Sequence, residues 1–298
     1  MHNKLIIILG PTASGKSDLA IKLAKKFNGE IISADSRQIY KEMNIGTAKI
    51  TKKEMSSIPH YMIDIAKPNQ KFTLAQFQKE TIKIIKDIQK RNKLPFLVGG
   101  TGLYIQSIVD NLKIPKTKPD KKLRNKLEEL DNKKLINQLK KIDPKALEII
   151  DIKNKRRLIR ALEICLLTKK PFSKQRKKKK SIFEILQIGI KLNTDNLEQK
   201  ITKRIERMIK NGLIKENERL LKKYGSKPYS MSGIGYQEII LYLKNKIALK
   251  EAKELIKIHT RQYAKRQITW FKRDKRIKWI KDYSKAERII KEFIKKIN

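Results

Sequence analysis

The 298-residue chain holds one cysteine, three histidines and no apolar run close to the roughly 20 residues that cross a bilayer. A lone thiol, Cys165, excludes an intramolecular disulfide and a thiolate-rich zinc cluster. Flanked by Leu158, Leu162 and Leu166, it reads as a small buried apolar group. His60 has no other His or Cys at ligand spacing, so it reads as a hydrogen-bonding residue, and no zinc is expected. The start carries neither the charged segment nor the cleavage site of a signal peptide, so the expectation is a cytoplasmic protein without a membrane partner. Acidic residues are scarce too: 30 Asp and Glu stand against 73 Lys and Arg, a formal charge of +43.

The abundance of Lys, Ile and Asn is what a biased genomic base composition produces, which accounts for part of the lysine without a functional cause. Its distribution adds something more. Residues 1–115 hold 19 basic and 9 acidic side chains, whereas the remaining 183 hold 54 and 21. Charge per residue is thus about twice as high in the second stretch, as a polyanionic substrate would favour. At this length the chain buries a full core and divides into two lobes.

The most informative stretch is Gly10-Pro11-Thr12-Ala13-Ser14-Gly15-Lys16-Ser17, between the apolar run Leu5–Leu9 and a helical pattern of Leu19, Ala20, Leu23, Ala24 and Phe27. It reads as strand, phosphate loop and helix. Such a loop converges amide N–H groups and a helix dipole on one anion, with Lys16 along the phosphate oxygens and Ser17 offered to Mg²⁺. The pattern predicts a bound di- or triphosphate without saying which molecule carries it.

Beyond it, Glu30–Ala34 reads as a parallel strand opening into Asp35-Ser36-Arg37-Gln38, which puts Asp35 at a carboxyl end, where ligands of such sheets gather. His60–Asp64 reads as another short strand. Thr73 and Gln76 have capping-box spacing and open a helix to about Arg91. Leu94–Val98 is a buried strand ending in Gly99-Gly100-Thr101-Gly102, where Thr101 can cap the next helix or face the cleft. From Lys116 to Lys180 short charged helical patterns replace strands, and Arg176–Lys180 reads as a mobile loop, not a reading head. Strand character returns at Glu184–Ile190. A helix with Arg204 and Arg207 follows, stopped by Gly212. Last comes a basic helix, Thr260–Phe271, whose cations, amides and aromatics suit unpaired bases or a surface helix with Trp270 buried.

Taken together, the phosphate loop, Asp35-Ser36-Arg37-Gln38-Ile39-Tyr40 and Met43-Asn44-Ile45-Gly46-Thr47-Ala48-Lys49 resemble the tRNA dimethylallyltransferase (IPP transferase) family. Gly99–Tyr104, Arg157–Glu163, Ile234-Gly235-Tyr236 and Ala264–Trp270 continue the resemblance in the same order, from about residue 4 to 273. The implied fold is α/β: a phosphate-loop NTPase-like parallel sheet with helices on both faces, formed by 1–115 and 183–298, plus an all-helical insertion, 116–182. The implied activity is Mg²⁺-dependent transfer of a dimethylallyl group from dimethylallyl diphosphate to N6 of the adenosine 3′ to the tRNA anticodon. The core is similar to ATP-binding kinases, but in this family the loop holds the prenyl diphosphate. Such enzymes are usually monomeric.

The resemblance implies a diphosphate site at Gly10, Pro11, Thr12, Ala13, Ser14, Gly15, Lys16 and Ser17, with Ser17 on the metal. It implies Asp35 as base, Lys16 and Arg204 on the leaving diphosphate, and Thr101 at the reacting end of the tRNA. Further tRNA contacts implied are Ser36, Arg37, Gln38, Arg124, Arg156, Arg157, Leu158, Ile159, Arg160, Ser232, Gly233, Ile234, Gly235, Tyr236, Gln237, Lys265, Arg266, Gln267 and Trp270. One departure is Arg156, where the family often has Gln, which exchanges base-specific hydrogen bonding for phosphate contact. A small-molecule kinase using ATP, a prenyltransferase acting on free AMP and a non-catalytic RNA-binding protein are the competing readings. The later basic blocks and an intact Lys16, Ser17 and Asp35 disfavour them.

Overall fold

The computed structural model describes residues 3–115, 117–175, 177–191 and 197–295. The chain divides into two units, one running through Val109 and resuming at Ser181, the other Asp110–Lys180.

In the first unit, strands β1 (Lys4–Leu9), β2 (Gly29–Ser33), β3 (His60–Tyr61), β4 (Leu94–Gly99), β5 (Glu184–Ile190) and β6 (Ile277–Ile280) pair in the order β3-β2-β4-β1-β5-β6. Every pairing is parallel. The central strands are continuous apolar runs because both faces of the sheet are covered. Alternation sorts β1 cleanly: Leu5, Ile7 and Leu9 face one apolar cluster, Ile6 and Ile8 the other. On the first face lie α2 (Leu74–Lys90) and α3 (Gly102–Val109), contributing Phe77, Ile85, Ile88, Ile105 and Ile108. The second is closed by α1 (Lys16–Lys26) with Ala20, Leu23 and Ala24, and by α13 (Tyr283–Lys295) with Ala286, Ile289 and Ile290.

The capping box expected at the start of α2 is present: the Gln76 amide N–H donates to Thr73 Oγ1 and Thr73 N–H to Gln76 Oε1. His60 Nδ1 sits 2.7 Å from the Ile58 carbonyl, the hydrogen-bonding role expected of it. A further helical layer comprises α9 (Leu197–Lys210), α10 (Leu213–Tyr224), a 3₁₀ turn at Tyr229–Ser232, α11 (Tyr236–Leu243) and α12 (Leu249–Phe271). The extra strand and helix at the carboxyl end, β6 and α13, went unread in the sequence.

The second unit contains α4 (Lys121–Glu128), α5 (Asn132–Ile142), α6 (Ala146–Ile149), α7 (Lys155–Thr168) and α8 (Phe172–Gln175), and no strand among its described residues. Leu127, Leu135, Leu139, Leu158, Leu162 and Cys165 form its core, so the thiol is the buried apolar group expected. The unit begins ahead of the composition change at Lys116. Its ends are tied together: Lys113 N–H donates to the Lys177 carbonyl, Lys179 N–H to the Asp110 carbonyl, and Lys178 pairs with Asp110 at 3.1 Å. The basic run is therefore not a free loop over 177–180; Arg176 lies outside the described residues.

Candidate active site

Three loops leave the carboxyl ends of adjacent strands and meet because β2, β4 and β1 are neighbours in register, Ser33 beside Val98 and Leu9 beside Gly99. The loop after β1 is the phosphate-loop stretch. Gly15 is left-handed (φ 77°), a conformation a side chain disfavours, and it opens α1 with no side chain capping the first amides. Those N–H groups are thus left for an anion. Ser14 Oγ is buried with no hydrogen-bond partner, a second orphan in the same cradle.

Asp35 follows β2. Its Oδ1 accepts from Arg37 N–H at 2.8 Å and Gln38 N–H at 3.4 Å, an Asx turn that fixes the carboxylate. Thr101 follows β4 and joins the loops: its N–H donates to the Ala34 carbonyl, and its Oγ1 accepts from Ser36 N–H at 3.0 Å. Gln267, on α12, completes the lattice. Its Oε1 accepts from Thr12 N–H at 2.9 Å, and its Nε2 donates to the Gly100 carbonyl at 2.9 Å. A side chain at Gly100 would collide with that amide, since an added Cβ would stand 2.3 Å from Nε2.

The charges share one field. Burial lowers the Lys16 amine to about 8; the Asp35 carboxylate works against this, and Arg204 reinforces it. Burial likewise lowers Arg204, again opposed by Asp35, while Arg207 adds to the lowering. Lys16, Asp35 and Arg204 are therefore close enough to feel one another. Lys16 Nζ donates to the Pro11 carbonyl at 3.2 Å. Among the described residues neither Lys16 nor Arg204 has a carboxylate at ion-pair distance. Burial raises the Tyr263 hydroxyl to about 12, with the Asp35 charge adding to it and a hydrogen bond to Thr101 opposing it. Tyr263 was not singled out from the sequence, where nothing separates it from other aromatics of a basic helix.

The segment following Asp35 is held from α10. Glu216 accepts from the N–H groups of Asn44, Ile45 and Gly46 at 3.0, 2.9 and 3.1 Å, and from the Tyr236 hydroxyl at 2.7 Å. Lys49 Nζ bonds the Tyr40 carbonyl, Asn44 Oδ1 and Asp64 Oδ1. These bonds hold the segment that continues from Asp35.

Several residues expected to contact tRNA are engaged otherwise. Gln267 is buried between two loops, and Trp270 is half-buried, its indole packed against Gly102. Tyr236 is 1 % exposed, and Gly233 and Gly235 are buried beside it. Leu158 and Ile159 are core of the second unit. Arg124 and Arg160 both bind Glu163, which is fully buried: Arg124 Nε and Nη2 donate at 2.8 Å each, and Arg160 Nη2 also reaches the Thr117 carbonyl. Apolar packing and internal pairing account for those positions, with the paired Arg124 and Arg160 side chains each still 32 % exposed. Arg156, Arg157, Ser232, Gln237, Lys265 and Arg266 are exposed, and Ser36, Arg37, Gln38 and Ile234 are half-buried.

Ser17 lies exposed in the first turn of α1. No group of three or more His, Cys, Asp or Glu among the described residues could hold a metal ion, so a cation here would take most of its ligands from a bound phosphate and water. No helix of the described residues is long and apolar enough to cross a membrane.

Residues 38–274 match the family model described as IPP transferase. The chain is 47 % identical, over an alignment 307 positions long, to a Thermoanaerobacter protein named tRNA dimethylallyltransferase, covering 99 % of this chain and 98 % of that protein. Among solved structures it is similar to a tRNA isopentenylpyrophosphate transferase from Staphylococcus epidermidis, with TM-score 0.71, 41 % identity and coverage of 98 % and 99 %. It also matches a eukaryotic dimethylallyltransferase described as acting on tRNA, with TM-score 0.82 at 31 % identity, over 98 % of this chain and 79 % of that one.

Proposed function

The chain belongs to the IPP transferase family, and from that premise we propose that it transfers a dimethylallyl group from dimethylallyl diphosphate to N6 of the adenosine 3′ to the anticodon of tRNA, releasing diphosphate. The observation that carries the reading is the meeting of Lys16, Arg204 and Asp35 in one field at the carboxyl ends of β1 and β2. Two cations with no carboxylate at ion-pair distance among the described residues suit an anionic leaving group, and the acid within their field suits an incoming amine.

The chemistry assigns each part. Adenine N6 is a weak nucleophile because its lone pair is delocalised into the ring. As N6 bonds to the allylic carbon, the carbon–oxygen bond breaks, its electron pair leaves with diphosphate, and an N–H proton passes to Asp35. The Arg37 and Gln38 N–H groups keep that carboxylate oriented. Charge growing on the diphosphate is met by Lys16, Arg204 and the amides around Gly15, all in place before the reaction. Thr101, bonded to Ser36 and Tyr263, lines the approach of the base.

The phosphate cradle fits Mg²⁺: Ser17 would hold it together with diphosphate oxygens, and when bound it would neutralise diphosphate charge. Extruding the adenosine costs least from an unpaired loop, which favours an anticodon loop as substrate. One chain supplies every residue named, so the reading needs no second copy, and a tRNA substrate favours a cytoplasmic setting. The test is incubation of the purified protein with labelled dimethylallyl diphosphate, Mg²⁺ and unmodified tRNA, followed by nuclease digestion. Label on the adenosine 3′ to the anticodon is the expected result. Transfer of the γ-phosphate of ATP with no use of the prenyl donor would establish the kinase reading instead.

A further inference from the structure

Tyr229 is a large aromatic side chain left 57 % exposed, yet it is not loose. The Arg37 guanidinium lies over its ring, 4.4 Å from the centroid. That guanidinium is itself fixed, donating to the carbonyls of Tyr229 at 2.7 Å and Ser230 at 3.2 Å and to Ser232 Oγ at 3.3 Å. The turn beneath is anchored as well: Ser230, fully buried, donates from Oγ to the Pro68 carbonyl at 2.8 Å, and Met231 is core. The ring is thus backed by a cation, held on a rigid turn, and still largely open to solvent.

Its address gives this arrangement a use. Arg37, which backs the ring, also donates its N–H to Asp35 Oδ1, so the platform and the acid share one residue. Extruding an adenosine towards Asp35 strips its loop neighbour of a stacking partner, a cost that a waiting aromatic face recovers. Every base has such a face, and a cation behind the ring adds to the attraction. A ring already immobilised gives up little entropy on stacking.

We propose that Tyr229, backed by Arg37, is a stacking platform for the unpaired nucleobase next to the reacting adenosine in the tRNA loop. The inference rests on the functional reading above and extends it to a residue that the family resemblance does not assign.

The test uses the full chain and an anticodon stem-loop carrying 2-aminopurine at either position flanking the adenosine, measured without prenyl donor. In one of the two arms the wild-type complex is quenched, and Tyr229→Phe and Tyr229→Trp quench it too. Tyr229→Ala and Tyr229→Leu leave it severalfold brighter and weaken binding about tenfold. Leucine keeps apolar bulk without the π-face, so it serves if alanine disturbs the turn, and thermal unfolding reports that. Equal brightness for all variants in both arms, with dissociation constants within about twofold, overturns the platform. Prenyl transfer by the wild type to an unlabelled stem-loop is scored separately. Product with no Tyr229 dependence removes this inference alone, and absence of product removes the functional reading and the inference with it.

Discussion

The same kinds of side chain are put to opposite uses in the two units. In the insertion, Arg124 and Arg160 converge on Glu163, whose carboxylate also accepts Asp120 N–H, so the cluster neutralises itself. Burial pushes the Glu163 carboxyl up, but the hydrogen bonds from Arg124, Arg160 and Asp120 prevail and hold it below the usual carboxylate range. At the strand ends of the other unit, Lys16 and Arg204 are half-buried, with a carboxylate in range but none at ion-pair distance among the described residues. One arrangement spends its charge on structure, and the other leaves its cations unpaired among the described residues, as the proposed diphosphate site requires. A count of basic residues in the sequence cannot tell them apart.

The contrast is broken most directly at Asp35. If its carboxylate served only to hold the loop, Asp35→Asn would be nearly silent, because the amide oxygen can still accept from Arg37 and Gln38 N–H. A proton acceptor cannot be replaced that way. The expected outcome is a fall in single-turnover rate of about 10³ with tRNA affinity retained, read by quench-flow and filter binding. Full activity in the Asn variant would remove the assigned base.

The insertion should fail in the opposite manner. Glu163→Gln leaves two arginines facing an uncharged amide, at an expected cost of about 3 kcal/mol to residues 110–180. Since two units need not unfold together, hydrogen exchange of the α4 and α7 amides is the measurement. The sign with pH follows from the lowered carboxyl: its contribution is complete above the ordinary Glu value, about 4.3, and is lost as pH falls through the lower folded-state value. Protection factors in α4 and α7, which correct for the intrinsic slowing of amide exchange in acid, should therefore fall on acidification in the wild type and not in the Gln variant.

Legibility in the sequence follows the same division. Wherever local chemistry is sufficient, elements were readable: the strand and loop at Leu5–Ser17, the capping box at Thr73 and Gln76, and the strand Glu184–Ile190 all stand as expected. β6 was missed because Ile277-Lys278-Trp279-Ile280 is short and sits in charged sequence, and it becomes a strand only by pairing with β5. Positions marked by a motif, such as Lys16 and Asp35, are legible as neighbours at the strand ends. Residues defined by distant partners were not: Glu163 reads as an ordinary helical acid, and Glu216 has no local mark of the three backbone amides it holds. Gln267 reads from the sequence as an amide suited to RNA, and nothing local marks the bonds it makes to Thr12 and Gly100, which the fold brings to it.

The smallest expected effect sharpens the contrast by following a charge as it is called into use. With the Lys16 amine near 8 in the free protein, part of the population is neutral at pH 8. A bound diphosphate favours the ammonium, so binding takes up a proton there. Affinity is complete below the free-state value and lost above it, about tenfold between pH 7 and 9, measurable by calorimetry in buffers of different ionisation enthalpy. Lys16→Arg, charged throughout that range, should abolish the proton uptake even if it binds less well. Proton uptake that persists in Lys16→Arg would mean that another group titrates, and that Lys16 meets its ligand already charged, as Arg124 and Arg160 meet Glu163.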